Sequence, residues 1–257
     1  MNQAATSHST VSIVIATYAR CDRLKRCIAG IRANVDVPHE IIVVGGAADD
    51  GTSEWAARQA DVRFVRETRR EGATKAYNKG FRSAHGPYVM WLNDDAYPLP
   101  GAVESALHMI ERPDLNDVGM VAFYHNFDRR NNRLDSIEFA GRTYSIYNVR
   151  GVPYANFGLL RHTLIAELGY LDERYYFCAW DPDLSLKVQR EAGLKVIGCR
   201  KALVYHEELI DERKHGDLDI AEEDNRKLFA KWPLPAKDSY ADPAPAYQQM
   251  LRERGLA

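Results

Sequence analysis

Cysteine is scarce in this chain, with four in 257 residues at positions 21, 27, 178 and 199. None forms a C-x-x-C pair, so the usual spacing of a zinc site is missing. So few thiols in so long a chain also argue against a disulfide framework, and a reducing cytoplasm is the expected compartment. Long apolar runs are lacking too. No run approaches the roughly 18 residues needed to span a bilayer, so no transmembrane segment is expected, only peripheral contact with the inner face of a membrane at most. The opening MNQAATSHST has no apolar core of the signal-peptide kind and reads as a disordered lead-in over residues 1–10. A dominant charge is also absent. A net charge of −2 removes the broad basic footprint of a nucleic-acid-binding protein.

What is present is an ordinary globular balance, 46% apolar and 27% charged, long enough for one large α/β domain or two small ones. Apolar runs VSIVIATY (11–18), EIIVVGG (40–46), VRFVRE (62–67) and YVMWL (88–92) read as strands. Between and after them, Leu24, Cys27, Ile28 and Ile31 mark one helix face. Ala73, Ala76, Tyr77, Phe81 and Ala84 mark a second, and Val103, Ala106, Leu107 and Ile110 a third. Continuous apolar strands alternating with helices imply a mostly parallel sheet with helices on both faces. In such sheets the ligand crevice opens beyond the carboxyl ends of the strands. Tyr18, Gly45-Gly46 and Asn93-Asp94-Asp95 all fall at such ends.

From about Val118 the pattern changes. VGMVAFYHNF reads as a strand, and SIEFAGRTYSIYNVRG as one or two short ones, a small antiparallel element. Helices are expected near 162–168 and 183–192, followed by strand-like LKVIGC. The chain therefore divides into a half at 11–117, a half at 118–206, and a polar lid and tail at 207–257. Most charges of that tail read as a solvated face.

Two adjacent carboxylates, Asp94 and Asp95, end an apolar strand. Hard oxygen ligands at a crevice suit Mg²⁺ or Mn²⁺ bridging to a diphosphate. Capping of the next helix explains the pair equally well. A second cluster, WDPDLSLKV, holds Asp181 and Asp183. Asp183 stands where an N-cap would and reads as structural, whereas Asp181, beside Trp180 and Pro182, suits a general base. His206 follows a short apolar strand. Alone it is more often a packed histidine than a ligand.

In order along the chain these segments resemble the inverting glycosyltransferases of the large family two, which have the GT-A fold. The resemblance runs from about Val11 to His206 and rests on ATYAR, EGATKAYNKGFRSAHGPYVMWLNDD, LGYLDERYYF and WDPDLSLKVQREAGLKV. It implies a hexosyl- or deoxyhexosyltransferase that uses a nucleoside diphosphate sugar, Mn²⁺ or Mg²⁺, and a saccharide, lipid-linked or small-molecule acceptor. Thr17 and Tyr18, with Ala16 and Arg20 beside them, would meet the nucleotide, together with Gly45, Gly72, Asn78, Asn93 and Asp94. Asp95 and His206 would ligate the metal, and Asp181 would be the base. Trp180 either stacks on an acceptor sugar or packs into the core.

The departures from that family are specific. Gly45-Gly46 replaces the family's Asp and the Asp or Asn that follows it after the second strand, which leaves the base without its usual carboxylate. Asn93 stands where many relatives have Asp, and Trp180 where they have Glu. Arg70 replaces an Asn before Gly72. Two other classes remain open at this level. A sugar-phosphate nucleotidyltransferase would need a Gly-rich basic loop after its first strand, and ATYARCDRL is not one. A non-catalytic nucleotide-sugar binder is the other, weighed against by the retention of Asp95, Asp181 and His206.

Overall fold

The computed structural model describes residues 11–127, 132–207, 218–237 and 239–257. The expected disordered lead-in and residues 208–217 of the expected lid lie outside the described residues.

The strands are β1 (Val11–Ala16), β2 (His39–Gly45), β3 (Val62–Arg66), β4 (Tyr88–Asn93), β5 (Ala96–Pro98), β6 (Val118–His125), β7 (Arg133–Phe139), β8 (Arg142–Val149), β9 (Val152–Tyr154), β10 (Gly158–Arg161) and β11 (Lys195–His206). The helices are α1 (Cys21–Asn34), α2 (Thr52–Ala56), α3 (Ala73–Ser83), α4 (Ala102–Ile110), α5 (His162–Glu167), α6 (Trp180–Arg190), α7 (Leu218–Lys231) and α8 (Ala244–Glu253). One sheet runs in the order β3-β2-β1-β4-β10-β6-β11-β5. In it β3, β2, β1, β4, β6 and β11 point one way, and β10 and β5 the other. This is the expected mostly parallel sheet, with the antiparallel meander β7-β8-β9 hung from β6 at His125↔Ser145.

The core follows from the sequence pattern. Ile13, Val14, Ile15, Ile42, Val43 and Val44 are fully buried, and each such side chain contributes about 1.5–3 kcal/mol. On α1 the buried residues include Leu24, Cys27, Ile28 and Ile31, the stripe read from its spacing. Helix α3 lies so close to the sheet that a Cβ at Gly80 would stand 2.2 Å from Val14 Cγ1. The hairpin β7-β8 closes on Ala140-Gly141, both at positive φ, a two-residue turn that matches the strand twist.

Three strands were not foreseen, β5, β9 and β10. Both β5 and β10 are antiparallel and too short to show a periodicity of their own. Their insertion matters because β10 enters the sheet from the crevice edge and brings residues 156 and 157 there. Helix α6 begins at Trp180, earlier than expected, so Asp183 is not its N-cap. Its carboxylate instead accepts from Trp232 Nε1 at 2.7 Å and Tyr175 OH at 3.1 Å, and it pairs with Lys231. The structural reading of Asp183 holds through different partners.

Candidate active site

The parallel strands all end at one edge, and a cleft of about 240 Å³ opens there. The end of β1 supplies Ala16, Thr17 and Tyr18, the end of β4 supplies Asn93 to Asp95, and the ends of β6 and β11 supply His125 and His206. From the opposite side come Gly72, Asn156 and the first turn of α6 with Trp180 and Asp181.

The acidic pair is held from one side. Thr17 Oγ1 donates to Asp94 Oδ2 at 2.8 Å. Arg20 Nη1 lies 3.2 Å from Asp94 Oδ1 and 2.8 Å from Asp95 Oδ2. All four residues are at most 7% exposed. The guanidinium offsets the cost of burying the carboxylates and fixes which oxygens face the cleft. Asp95 Oδ1 points to His206 Nε2, 3.0 Å away. Asn93 Nδ2 stands 3.4 Å from the same nitrogen.

His206 is clamped at its backbone. Its N–H donates to Asn126 Oδ1 at 2.7 Å, and its carbonyl accepts from Asn126 Nδ2 at 3.0 Å. Its ring sits against Phe157 and Phe127. Beneath the pair lie Tyr77 and Cys27. Burial, and then the negative charge of Asp94 and Asp95, holds both far above their ordinary pKa values. Tyr77 therefore stays a neutral donor, to Leu92 O at 2.9 Å and Asn93 Oδ1 at 3.1 Å.

The residues fit a divalent cation. An octahedral ion with bonds of about 2.1 Å places neighbouring ligands about 3.0 Å apart, the separation of Asp95 Oδ1 and His206 Nε2. Among the described residues no cluster of three or more His, Cys, Asp or Glu forms a ready metal cage. Two protein ligands suit an ion whose other ligands come from substrate phosphate and water.

Across the cleft, Asp181 Oδ2 accepts from Asn156 Nδ2 at 2.8 Å. The amide orientation follows from a chain of partners. Phe127 N–H donates to His125 Nδ1 at 3.3 Å, so that nitrogen is an acceptor and Nε2 carries the proton. His125 Nε2 then donates to Asn156 Oδ1 at 3.0 Å, which leaves the amide NH₂ toward Asp181.

Most residues expected at the site line this cleft: Ala16, Thr17, Tyr18, Arg20, Gly72, Asn93, Asp94, Asp95, Trp180, Asp181 and His206. Gly72 adopts φ +96°, and a Cβ there would meet Tyr176 O at 2.6 Å, so the close approach of backbones requires glycine. Trp180 is 6% exposed, with its ring packed on Tyr77 and Trp91; it forms part of the cleft floor.

Asn78 and Gly45 are not in the cleft lining. Asn78 is fully buried, and its amide is spent on Leu171 N and O and on Glu173 Oε1, each at 2.9 Å. It ties α3 to the loop at 171–173 and has no group left for a nucleotide. Gly45 faces Thr17, whose Cγ2 would stand 2.6 Å from an added Cβ.

Sequence reasoning missed His125, Asn156, Phe127 and Glu67, all of which line the cleft. His125 ends an apolar strand, just as His206 does, and that signal was available. Asn156 needed knowledge of the antiparallel β10, which nothing in its neighbourhood announces.

Comparison with known proteins agrees with this fold. The family profile described as Glycosyl transferase family 2 matches residues 12–168. "Uncharacterized glycosyltransferase YwdF" of Bacillus subtilis is 25% identical over 196 residues, 75% of this chain and 73% of that protein. "Uncharacterized glycosyltransferase RT0329" of Rickettsia typhi is 27% identical over 208 residues, 80% of this chain and 64% of that protein. Among solved structures, the mannosyltransferase PcManGT from Pyrobaculum calidifontis, in complex with GDP-Man and Mn²⁺, superposes with a TM-score of 0.65 at 19% identity, covering 96% of this chain and 70% of that one. GalNAc-T7 with UDP, GalNAc and Mn²⁺ gives 0.61 at 12% identity, covering 96% and 55%. At such identities the structures show the fold alone, which is GT-A.

Proposed function

Since a match over residues 12–168 covers more than half of the chain, this protein belongs to glycosyl transferase family 2, and from that premise we propose that it transfers a sugar, with inversion, from a nucleoside diphosphate to an acceptor hydroxyl. The observation that carries the reading is the pairing of two functions across one cleft. Asp95 and His206 converge on one side, and Asp181, oriented by Asn156, stands on the other.

In this reading the half at 11–117 holds the donor and the half at 118–206 supplies the acceptor side. Thr17, Tyr18 and Asp94 bind the nucleoside. Asp95 and His206 would hold Mn²⁺ or Mg²⁺, which the Mn²⁺ complexes of PcManGT and GalNAc-T7 support. When bound, the ion offsets the negative charge that gathers on the departing diphosphate. Arg20 keeps Asp94 and Asp95 in fixed orientations throughout. Asp181 takes the proton of the acceptor hydroxyl. The hydroxyl oxygen bonds to the anomeric carbon while the bond from that carbon to the diphosphate oxygen breaks, and the diphosphate leaves with the electron pair. One displacement from the opposite face inverts the configuration.

The acceptor is a hydroxyl of a saccharide, a lipid-linked sugar or a small molecule. A role in polysaccharide assembly is supported by the likeness to "O-antigen biosynthesis protein RfbC" of Myxococcus xanthus, 22% identical over 91% of this chain and 20% of that protein. No helix among the described residues is long and apolar enough to cross a membrane.

Calorimetry with nucleoside diphosphates, with and without Mn²⁺, tests the reading. Binding is expected to depend on the ion, and Asp95→Ala should remove that dependence. Asp181→Asn should abolish transfer while donor affinity stays near wild type. If no nucleoside diphosphate binds in either condition, the proposed function fails.

A further inference from the structure

Glu67 immediately follows β3 and plays no part in the chemistry described above. It lines the cleft alongside Thr17, Tyr18 and Arg70, and its side chain is only 6% exposed. One oxygen, Oε1, accepts from Lys79 Nζ at 2.7 Å. The other, Oε2, makes no hydrogen bond to any described residue. Asp94, Asp95 and Asp181, the other carboxylates of the cleft, are engaged by Thr17, Arg20, His206 and Asn156. Oε2 is not sealed from solvent, and at the cleft lining a ligand N–H can replace water as its donor.

The position of Glu67 narrows that donor. Its N–H bonds Gly45 O at 2.7 Å, so it stands beside the end of β2. Side chains are sterically excluded there. A Cβ at Gly45 would lie 2.7 Å from Thr17 O, and one at Gly46, where φ is +89°, 2.5 Å from Ser53 Oγ. Any carboxylate at this end of the cleft must therefore come from the neighbouring strand. Next to it the Arg70 guanidinium covers the Tyr18 ring at 4.8 Å, which provides flat surfaces for a planar ligand.

We propose that Glu67 selects the donor's base, accepting the ring N–H of guanine or uracil and disfavouring adenine and cytosine. A carboxylate only accepts hydrogen bonds. Guanine N1 and uracil N3 carry a hydrogen, whereas the corresponding ring nitrogens of adenine and cytosine are acceptors and would face the carboxylate lone pair to lone pair. This inference rests on the nucleotide-sugar reading of the same cleft and adds the class of nucleotide to it.

The test is a binding panel of GDP, UDP, ADP and CDP with Mn²⁺, on wild type and Glu67→Gln. Wild type is expected to prefer GDP or UDP to both ADP and CDP by about tenfold or more, the scale of one hydrogen bond to a charged group. The GDP and UDP arms identify which of the two bases is used. Glu67→Gln, whose amide presents either a donor or an acceptor, should compress that preference, whereas Lys79→Met, which leaves the carboxylate in place, should keep it. Equal binding of all four diphosphates by wild type would overturn the proposal without any variant. So would an equal loss for all four in Glu67→Gln. Absence of binding by every diphosphate would instead remove the underlying nucleotide-sugar reading.

Discussion

Replacing Asn156 by Ala removes a single donor from the proposed base and the acceptor of His125 Nε2. The backbone carbonyl of residue 156, which accepts from Trp91 Nε1 at 2.8 Å, stays in place. So does α6, which Asp183 anchors through Trp232, Tyr175 and Lys231. What is lost is the 2.8 Å bond from Nδ2 to Asp181 Oδ2, together with the 3.0 Å bond that Oδ1 accepts from His125 Nε2. A hydrogen bond to a charged acceptor contributes about 1.5–3 kcal/mol. At about 1.36 kcal/mol per factor of ten, kcat should fall about 10- to 150-fold. The bond favours the ionised carboxylate, so its loss makes protonation easier and moves the acid limb of the rate profile to higher pH. His125→Phe acts one step further out. It frees the amide to turn, and its effect should be smaller and absent in the Asn156→Ala background, because the two residues act through one bond. The assay is steady-state transfer over a pH series, with donor affinity measured separately. An unchanged kcat, or a loss seen wholly as weaker donor binding, would refute the orientation argument.

Two further predictions concern the framework. Gly45→Ala drives a methyl to 2.6 Å from Thr17 Cγ2; thermal melts should show a destabilisation of about 1–3 kcal/mol, and nucleotide binding should weaken as Thr17 shifts off Asp94. Asp117 is held well below the ordinary carboxylate range by hydrogen bonds from Arg254 and then Lys195. Its stabilisation is therefore present above the usual carboxylate pKa of about 4 and is lost as the pH falls below it. The difference in melting temperature between wild type and Asp117→Asn should be present near neutral pH and narrow on acidification.

The parallel half of the fold was legible because β1, β2 and β4 are continuous apolar runs, and α1, α3 and α4 each carry an apolar stripe. That pattern also located the strand ends, and with them Thr17, Asp94, Asp95 and His206. Legibility failed where an element is too short to carry a period. Strand β10 is the clearest case, and with it went Asn156, the partner of Asp181. It failed again where a motif serves packing. Asn78 matches a family pattern because it joins α3 to the loop at 171–173, and composition alone does not separate that role from ligand binding. The charged tail misled in a third way. Among the described residues Asp219, Glu222, Glu223, Asp242 and Glu253 are exposed, as read, yet Asp224 is fully buried. Its carboxylate accepts the N–H groups of Tyr176, Phe177 and Cys178 at 2.7–3.1 Å. No local pattern marks that carboxylate as different from its exposed neighbours.

That last contact alters what counts as a working unit of this chain. The family match ends at residue 168 and the last described residue lining the cleft is His206, so the segment beyond reads as dispensable. The partners say otherwise. A chain stopped at 206 would keep every described cleft residue, yet Asp183 would retain only Tyr175 of its described side-chain partners. The backbone leading into Asp181 would lose Asp224, and Gly198 N would lose the Tyr247 hydroxyl that it meets at 2.7 Å. Chimeras that exchange tails between relatives would therefore exchange the footing of Asp181 as well. Grafting the acceptor side alone onto another scaffold has to carry α7 with it.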